Sequence, residues 1–436
     1  MRSSVKPYAG ALRVLVGVLA VSGVVSALVA CSSPEAAPSA LEVVHVPADA
    51  TLDEAGGLVA DGGIILIAPG TYHGTLAVTA DDVTVRGEDR NEVVLDGELT
   101  LSHGVVGTGE RVTVENLTVR NYLQNGVLIT GVTDENGAGI ARGPDGYVPE
   151  AAPDPVPGYL VQFVTAQNNG LYGIYAFNRT DGVIRDNLAS GGSDSGIYIG
   201  QCADCTALVA DNVMQWNAVG LELANASNVV ITGNRIVENR IGISVLSNYL
   251  EAHGPTEGVR IVGNVIADNV EERTPTQASG AFGTGIGLGG TVAAEVRANL
   301  ITGNANVGVW LTSSEDFAPT DNRIADNAWA GNGLDVAYTA TAHALGADNC
   351  FALSAGATAD PSTLLAGGCA EPDVAPGGYT QPAAPAGVSF AAVDLPPTRP
   401  GLDDVDETPR RLPTTVNLPD TDAIPVPDAA LLEDAS

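Results

Sequence analysis

Through the middle of the chain, apolar and polar positions alternate in short bursts of period two. Ile197/Ile199, Leu221/Leu223, Ile243/Val245, Ile286/Leu288 and Val309/Leu311 are such bursts, and this alternation predicts strands with one buried side. Each burst opens on glycine plus an aliphatic residue: Gly126-Val127, Gly173-Ile174, Gly196-Ile197, Gly220-Leu221, Gly242-Ile243, Gly285-Ile286, Gly308-Val309 and Gly333-Leu334. Ahead of most of them stand two asparagines five apart, at 116/121, 212/217, 234/239, 264/269, 299/304 and 322/327. The shortest spacings between copies, Asn212 to Asn234 and Asn299 to Asn322, are 22 and 23 residues. A period in this range is the mark of a solenoid, and 22 residues accommodate three short strands and three corners. Asparagine tolerates left-handed corner angles, and its amide can bond its copy one strand spacing away, about 4.8 Å. Near the start, residues 51–60 predict a helix, with a Thr51…Glu54 capping box and a Leu52/Ala55/Leu58/Val59 stripe. A strand at 64–67 follows, then Pro69-Gly70-Thr71-Tyr72.

The N-x-[IV]-x-x-N…G-[IL]-x-[IV] copies, with a strand running into Pro-Gly-Thr-Tyr, resemble the right-handed parallel β-helices of the pectate-lyase-like class. The resemblance covers roughly residues 42–340. It implies an all-β, three-sided solenoid whose end is plugged by a short helix. With its caps this domain is expected over 42–370. Residues 371–436 hold twelve of the 26 prolines and are expected to form an extended or disordered tail. The class includes lyases, hydrolases, epimerases, binding proteins and accessory factors, so the fold by itself leaves the activity open.

Composition narrows the picture. With 5% aromatics and 52 glycines the chain does not suit a helical bundle. A net charge of −33 repels phosphate backbones and excludes nucleic acid as a partner. Arg2, Lys6 and Arg13 precede an apolar run over 14–30 that ends Leu28-Val29-Ala30-Cys31. This ending resembles the bacterial lipobox and implies a signal peptide over 1–30, lipidation of Cys31 and export to the outer face of the cell membrane, with a tether over 31–41; a monomer is expected. Export permits disulfides, and Cys202–Cys205 with Cys350–Cys369 is the simplest pairing.

If the aliphatic residues of each burst point inward, the residue between them points outward. That position reads Tyr175, Tyr198, Glu222, Ser244, Gly287, Trp310, Asp335. Rings and carboxylates on one stripe suit a glycan, and Tyr175, Tyr198, Glu222, Trp310 and Asp335 are the candidate binding residues, although Tyr and Trp also favour strands for propensity alone. Insertions over 130–158, 249–258 and 270–284 are expected to flank the same face. Glu222 and Asp335 stand four coils apart, about 19 Å, too far to act as an acid–base pair. Asp194, in the corner one coil below Glu222, is the nearer acid–base candidate. Asp186 and Asp211 sit at corners, which aspartate favours anyway. The five histidines are scattered without ligand spacing. No cofactor is identified; Ca²⁺ suits the acid excess but no spacing specifies it. The leading expectation is an anchored β-helix that binds a polysaccharide or cell-envelope glycan and, if an enzyme, acts as a lyase, epimerase or glycoside hydrolase. The alternatives are a structural or interaction lipoprotein and a periplasmic maturation factor.

Overall fold

The computed structural model describes residues 40–134, 139, 152–276, 281–367, 369 and 374–432. The signal peptide, Cys31 and most of the tether therefore lie outside the described residues, as does much of the first insertion. Among the described residues no helix is long and apolar enough to cross a membrane.

From residue 59 the chain winds through stacked coils, each laying down up to three short strands. One full coil is Arg179–Arg185, Leu188–Ser190 and Ser195–Cys202. The next is Ala207–Ala210, Val213–Gln215 and Val219–Ala226. Each strand pairs in parallel with its copy one coil on. The third strands form an eleven-stranded parallel sheet among the described residues, the third face. The first and second faces merge into one larger sheet, because Val112–Arg120 and Val156–Gln167 run unbroken around the corner between them. The all-β, three-sided solenoid expected from the repeat is thus present. Its interior is a continuous aliphatic stack that includes Ile197, Leu221, Ile243, Ile286 and Val309, each fully buried.

The asparagines form ladders through that interior. Asn187, Asn212, Asn234, Asn264, Asn299 and Asn327 pass a hydrogen bond from each amide to the next Oδ1 at 2.9–3.0 Å. Asn217, Asn239, Asn269, Asn304 and Asn332 form a second ladder at 3.0–3.1 Å. Each Oδ1 also accepts the backbone N–H of the asparagine one coil earlier, as Asn234 does from Asn212. The left-handed angles fall on the preceding residue: Asp186, Asp211 and Gly233 in the first ladder, Trp216, Glu238 and Asp268 in the second. That residue turns its side chain outward and the asparagine behind it turns inward, so the two corner tasks are divided between neighbours.

The pairing corrects the sequence register at two places. Asn116 and Asn121 are themselves left-handed and sit one position before the ladder. In the last full coil the ladder pair is Asn327/Asn332, not Asn322/Asn327. The repeat there is 28 residues, lengthened by a segment over 313–322 that the asparagine spacing does not mark. Asn322 bonds Asn349 at a separate corner. Arg323 consequently pairs beside Glu295 on the first face.

The repeated glycine has a steric cause. A Cβ on Gly126, Gly173, Gly196, Gly220, Gly242 or Gly285 would lie under 3 Å from the carbonyl oxygen of the next glycine in the column. At the start of the third face the coils approach closely, and the column admits no side chain.

The helix Leu52–Leu58 closes the first end, burying Leu52 and Ala55. Glu54 accepts from the Thr51 N–H at 3.1 Å and hydroxyl at 2.7 Å. It is shorter than 51–60 because Val59 already begins the strand Val59–Ile67. Cys202–Cys205 and Cys350–Cys369 are bonded as expected.

Residues 374–432 form an irregular strap along the coils. Gly377 N–H bonds Tyr338 O in the last full coil. The strap then descends: Asn168 donates to Phe390 O and Val393 O, Arg90 to Pro400 O, and Arg86 to Asp406 O and Thr408 O. It reverses near Arg410 and climbs again, with Val416 N–H on Asp181 and Arg297 on Thr421 O. An apolar hollow of about 270 Å³ between Leu160, Val183 and Leu208 on the sheet and Leu412, Pro413 and Val416 on the strap is the seam of this packing.

Candidate functional site

The third face carries the candidate residues. Its outward positions are in register: Leu128, Tyr175, Tyr198, Glu222, Ser244, Gly287, Trp310 and Ala337. Asp335 does not belong to this stripe. Val336 pairs with Val309, so the step into the third face falls at Asp335-Val336, two residues beyond Gly333-Leu334. Asp335 takes the glycine-column position in a coil whose next neighbour, Ala359–Asp360, begins pairing at Val336. Its carboxylate accepts from Asn332, Thr358 N–H and Thr358 Oγ1 at 2.8–2.9 Å. It staples the last turn.

The stripe is not uniformly exposed. Tyr175 and Tyr198 are 2% and 3% exposed and pack with Val106, Leu128, Phe177 and Ala224. The Tyr175 and Tyr198 rings meet edge to face at 4.9 Å, and half-buried Tyr172 lies 4.6 Å from each. These rings are therefore mostly the wall and base of one end of the face, with Tyr172 at its surface.

Beside them stand three carboxyl groups. Glu222 pairs with Tyr198 across adjacent strands, and its Oε2 accepts from Ser195 Oγ at 2.6 Å. Asp194, half-buried, immediately precedes Ser195. The third is Glu251, from the second insertion, whose Oε1 accepts the Tyr198 hydroxyl. Glu251 is 2% exposed and held by its backbone: its N–H bonds Asn248 Oδ1 at 3.0 Å, and Asn225 Nδ2 donates to its carbonyl. Burial first, then the Glu251 charge, raises the Tyr198 pKa well above its ordinary value, so Tyr198 is held as a neutral donor. The structure thus brings Asp194, Tyr198 and Glu222 onto neighbouring coils. It adds Glu251, which no repeat position marks; its one sequence signal is membership of an insertion beside this face.

Beyond Glu222 the floor opens through Ser244 and Gly287 to half-buried Trp310, four coil steps from Tyr198, about 19 Å. Trp310 Nε1 donates to Thr339 Oγ1 at 2.9 Å. One wall is built from Tyr249 and Phe317, 4.8 Å apart, with Tyr249 N–H bonded to Glu315 at 2.9 Å. The other follows the insertion before Thr284–Gly289, where Phe282 lies under the Arg240 guanidinium at 5.0 Å. Loops thus border both edges of the face, and this loop-bordered strip, here called the trough, is aromatic at both ends and carboxylate-bearing at one. His253, in the second insertion, has its pKa lowered by burial. Among the described residues no cluster of three or more His, Cys, Asp or Glu is placed to hold a metal ion.

Stacked parallel coils with ladder corners define a class, the parallel β-helix. The model of the right handed beta helix region matches residues 103–249 and 159–327, more than half of the chain, and the chain belongs to this family. Similar solved structures include the A-module of a mannuronan C-5 epimerase from Azotobacter vinelandii, 14% identical, covering 63% of this chain and 88% of that one with a TM-score of 0.41. A pectate lyase is 13% identical, covers 73% and 82%, and has a TM-score of 0.40. A tailspike protein of bacteriophage CBA120 is 11% identical, covers 63% and 41%, and has a TM-score of 0.45. No curated protein matches the chain in sequence.

Proposed function

We propose that the chain binds a polysaccharide along the third face, with Tyr172, Glu222 and Trp310 as contact residues and Tyr175 and Tyr198 as the ring support beneath them. The observation that carries this reading is the trough itself. Its aromatic ends, its small-residue floor and its loop walls lie on one face. Aromatic faces pack on the C–H faces of sugars and carboxylates accept from their hydroxyls. The chain's own charge favours a neutral glycan. Processing of the bound chain is the finer part of the proposal: Glu222 and Glu251 flank Tyr198, two carboxyl groups in different environments, as acid–base chemistry at a glycosidic bond requires. Lipidation of Cys31 would hold the trough at the outer membrane face.

The test is binding to an array of neutral and acidic polysaccharides, paired with thermal shift. Wild type is expected to bind a neutral glycan. Trp310→Ala is expected to weaken it by about tenfold, the loss of one aromatic contact of roughly 1.4 kcal/mol. Glu222→Gln is expected to abolish any turnover while binding persists. No response from any glycan in either assay sinks the proposal. Loss of detergent-phase partitioning in Cys31→Ala tests the anchor separately.

A further inference from the structure

We propose that the C-terminal strap supplies a binding residue to the trough: Tyr379, packed on Trp310, forms with it a distal sugar subsite. This rests on the glycan reading above and adds a residue to it from a segment with no repeat character. The strap leaves the last full coil at Gly377, whose N–H bonds Tyr338 O at 2.8 Å. Two residues on, the Tyr379 ring meets Trp310 at 5.4 Å, nearly perpendicular at 74°. Trp310 is held in place through Thr339 Oγ1, which in turn donates to Thr312 Oγ1 at 2.9 Å. The edge of one ring therefore rests on the face of the other, and the pair forms a single aromatic step at this end of the face.

The floor leads a ligand to this point. A Cβ at Gly287, next to Trp310 in the stripe, would meet nothing nearer than 3.8 Å, so the position beside the ring pair is open, and only the small Ser244 side chain separates it from Glu222 along the stripe. Two polar groups of the strap at this point are also unspent. The Tyr379 hydroxyl and, two residues further, the Gln381 Nε2 are buried without a hydrogen-bond partner among the described residues. Buried polar atoms are nearly always paired, and a sugar ring seated on Trp310 brings hydroxyl groups of both donor and acceptor character. Burial also raises the Tyr379 pKa, which keeps the hydroxyl a donor.

The consequence is a dependence on chain length. The ring pair stands about 19 Å from Tyr198, so a short oligosaccharide engages one end and a long one both. The experiment is isothermal titration of the full chain with cellotriose and cellohexaose, xylotriose and xylohexaose, and mannotriose and mannohexaose. Wild type is expected to prefer a hexasaccharide over its trisaccharide by about tenfold or more, and Tyr379→Ala to remove most of that preference. Tyr379→Phe, which keeps the ring, is expected to lose about two- to threefold, the share of one hydroxyl. Unfolding midpoints of both variants keep misfolding apart from lost contact. A hexasaccharide affinity in Tyr379→Ala within twofold of wild type, with Trp310→Ala still impaired, overturns the subsite and leaves the glycan reading standing. An equal loss for trisaccharide and hexasaccharide also overturns it. Failure of wild type to bind any of the six overturns the subsite, and with no response on the polysaccharide array it overturns the glycan reading as well.

Discussion

The third face and the other two faces are built from the same repeat, yet their outer surfaces differ. The third face keeps its outward residues beside loops, with Glu222 and Trp310 half-exposed. The first two faces are crossed by most of the strap, which meets the third face at its last coils through Gly377 and Tyr379, and their outward charges are consumed in holding it. Glu115, fully buried, accepts from Arg86 and Arg410 at 2.7 Å and from Gln162 at 2.5 Å. Arg86 in turn donates to Asp406 and to strap carbonyls. The difference teaches that an outward stripe of a solenoid is a candidate site where the chain leaves it uncovered. The same residue types under a strap are a clasp.

Removing the strap is the severest way to break this contrast. Deletion of residues 374–436 would uncover Leu160, Val183 and Leu208 and leave Glu115 with one cation instead of two. Breaking a buried ion pair costs roughly 3–5 kcal/mol, so the total loss is expected to exceed about 5 kcal/mol once apolar exposure is added. Denaturant unfolding measures it, and hydrogen exchange should rise on Thr84–Gly87 and Val112–Arg120 before it rises on the third-face strands. An unchanged midpoint would mean that the strap merely rests on the coils. Its extended path also argues against a free docking tail, since its carbonyls are engaged by the chain's own arginines and asparagines.

A ladder asparagine serves all faces alike and gives an intermediate effect. Asn239 donates to Asn269 Oδ1, Met214 O and Val237 O, and its Oδ1 accepts from Asn217. Asn239→Ala leaves several buried groups unpaired and is expected to cost about 2–4 kcal/mol. Asn121→Ala, outside the ladder and partly exposed, should cost less than half as much. Equal losses in the two variants would reduce the ladder to ordinary corner polarity.

These particulars show what the sequence could disclose. Period-two alternation and regularly spaced asparagines are local signals, and they specified the coil, its three faces and the pairing of Tyr198 with Glu222. Register failed where an unmarked insertion at 313–322 moved the ladder from Asn322 to Asn327, and this carried Asp335 wrongly into the stripe. Glu251 and Tyr379 were illegible for a different reason. Each reaches the trough from a segment without periodicity, so its position depends on the path of a loop or strap across coils already built. Burial was also hidden: Tyr175 and Tyr198 point outward from their strands, but insertions and neighbouring rings cover them.

The smallest expected effect decides whether the corner acids belong to chemistry or to the fold. Asp211 precedes its ladder asparagine at φ 56° and lies near Arg90, Asp186 and Arg399 on the strap side. Its pKa is raised, by partial burial first and then by the neighbouring Asp186 charge, against a smaller lowering from Arg185. A carboxyl raised on folding binds its proton more tightly in the native state, so stability falls as pH rises from the unfolded pKa, about 3.9, through the raised native one. Asp211→Asn removes that penalty and keeps a residue tolerant of the left-handed region. Because the carboxylate is largely exposed and screened, the variant should gain only a few tenths of a kcal/mol at pH 7. Urea midpoints of the two proteins should coincide near pH 3 and separate above it. Glycan binding should be unmoved. A variant that loses stability at pH 7 would show that the Asp211 charge is used by the fold, and one that loses glycan binding would move the site off the third face.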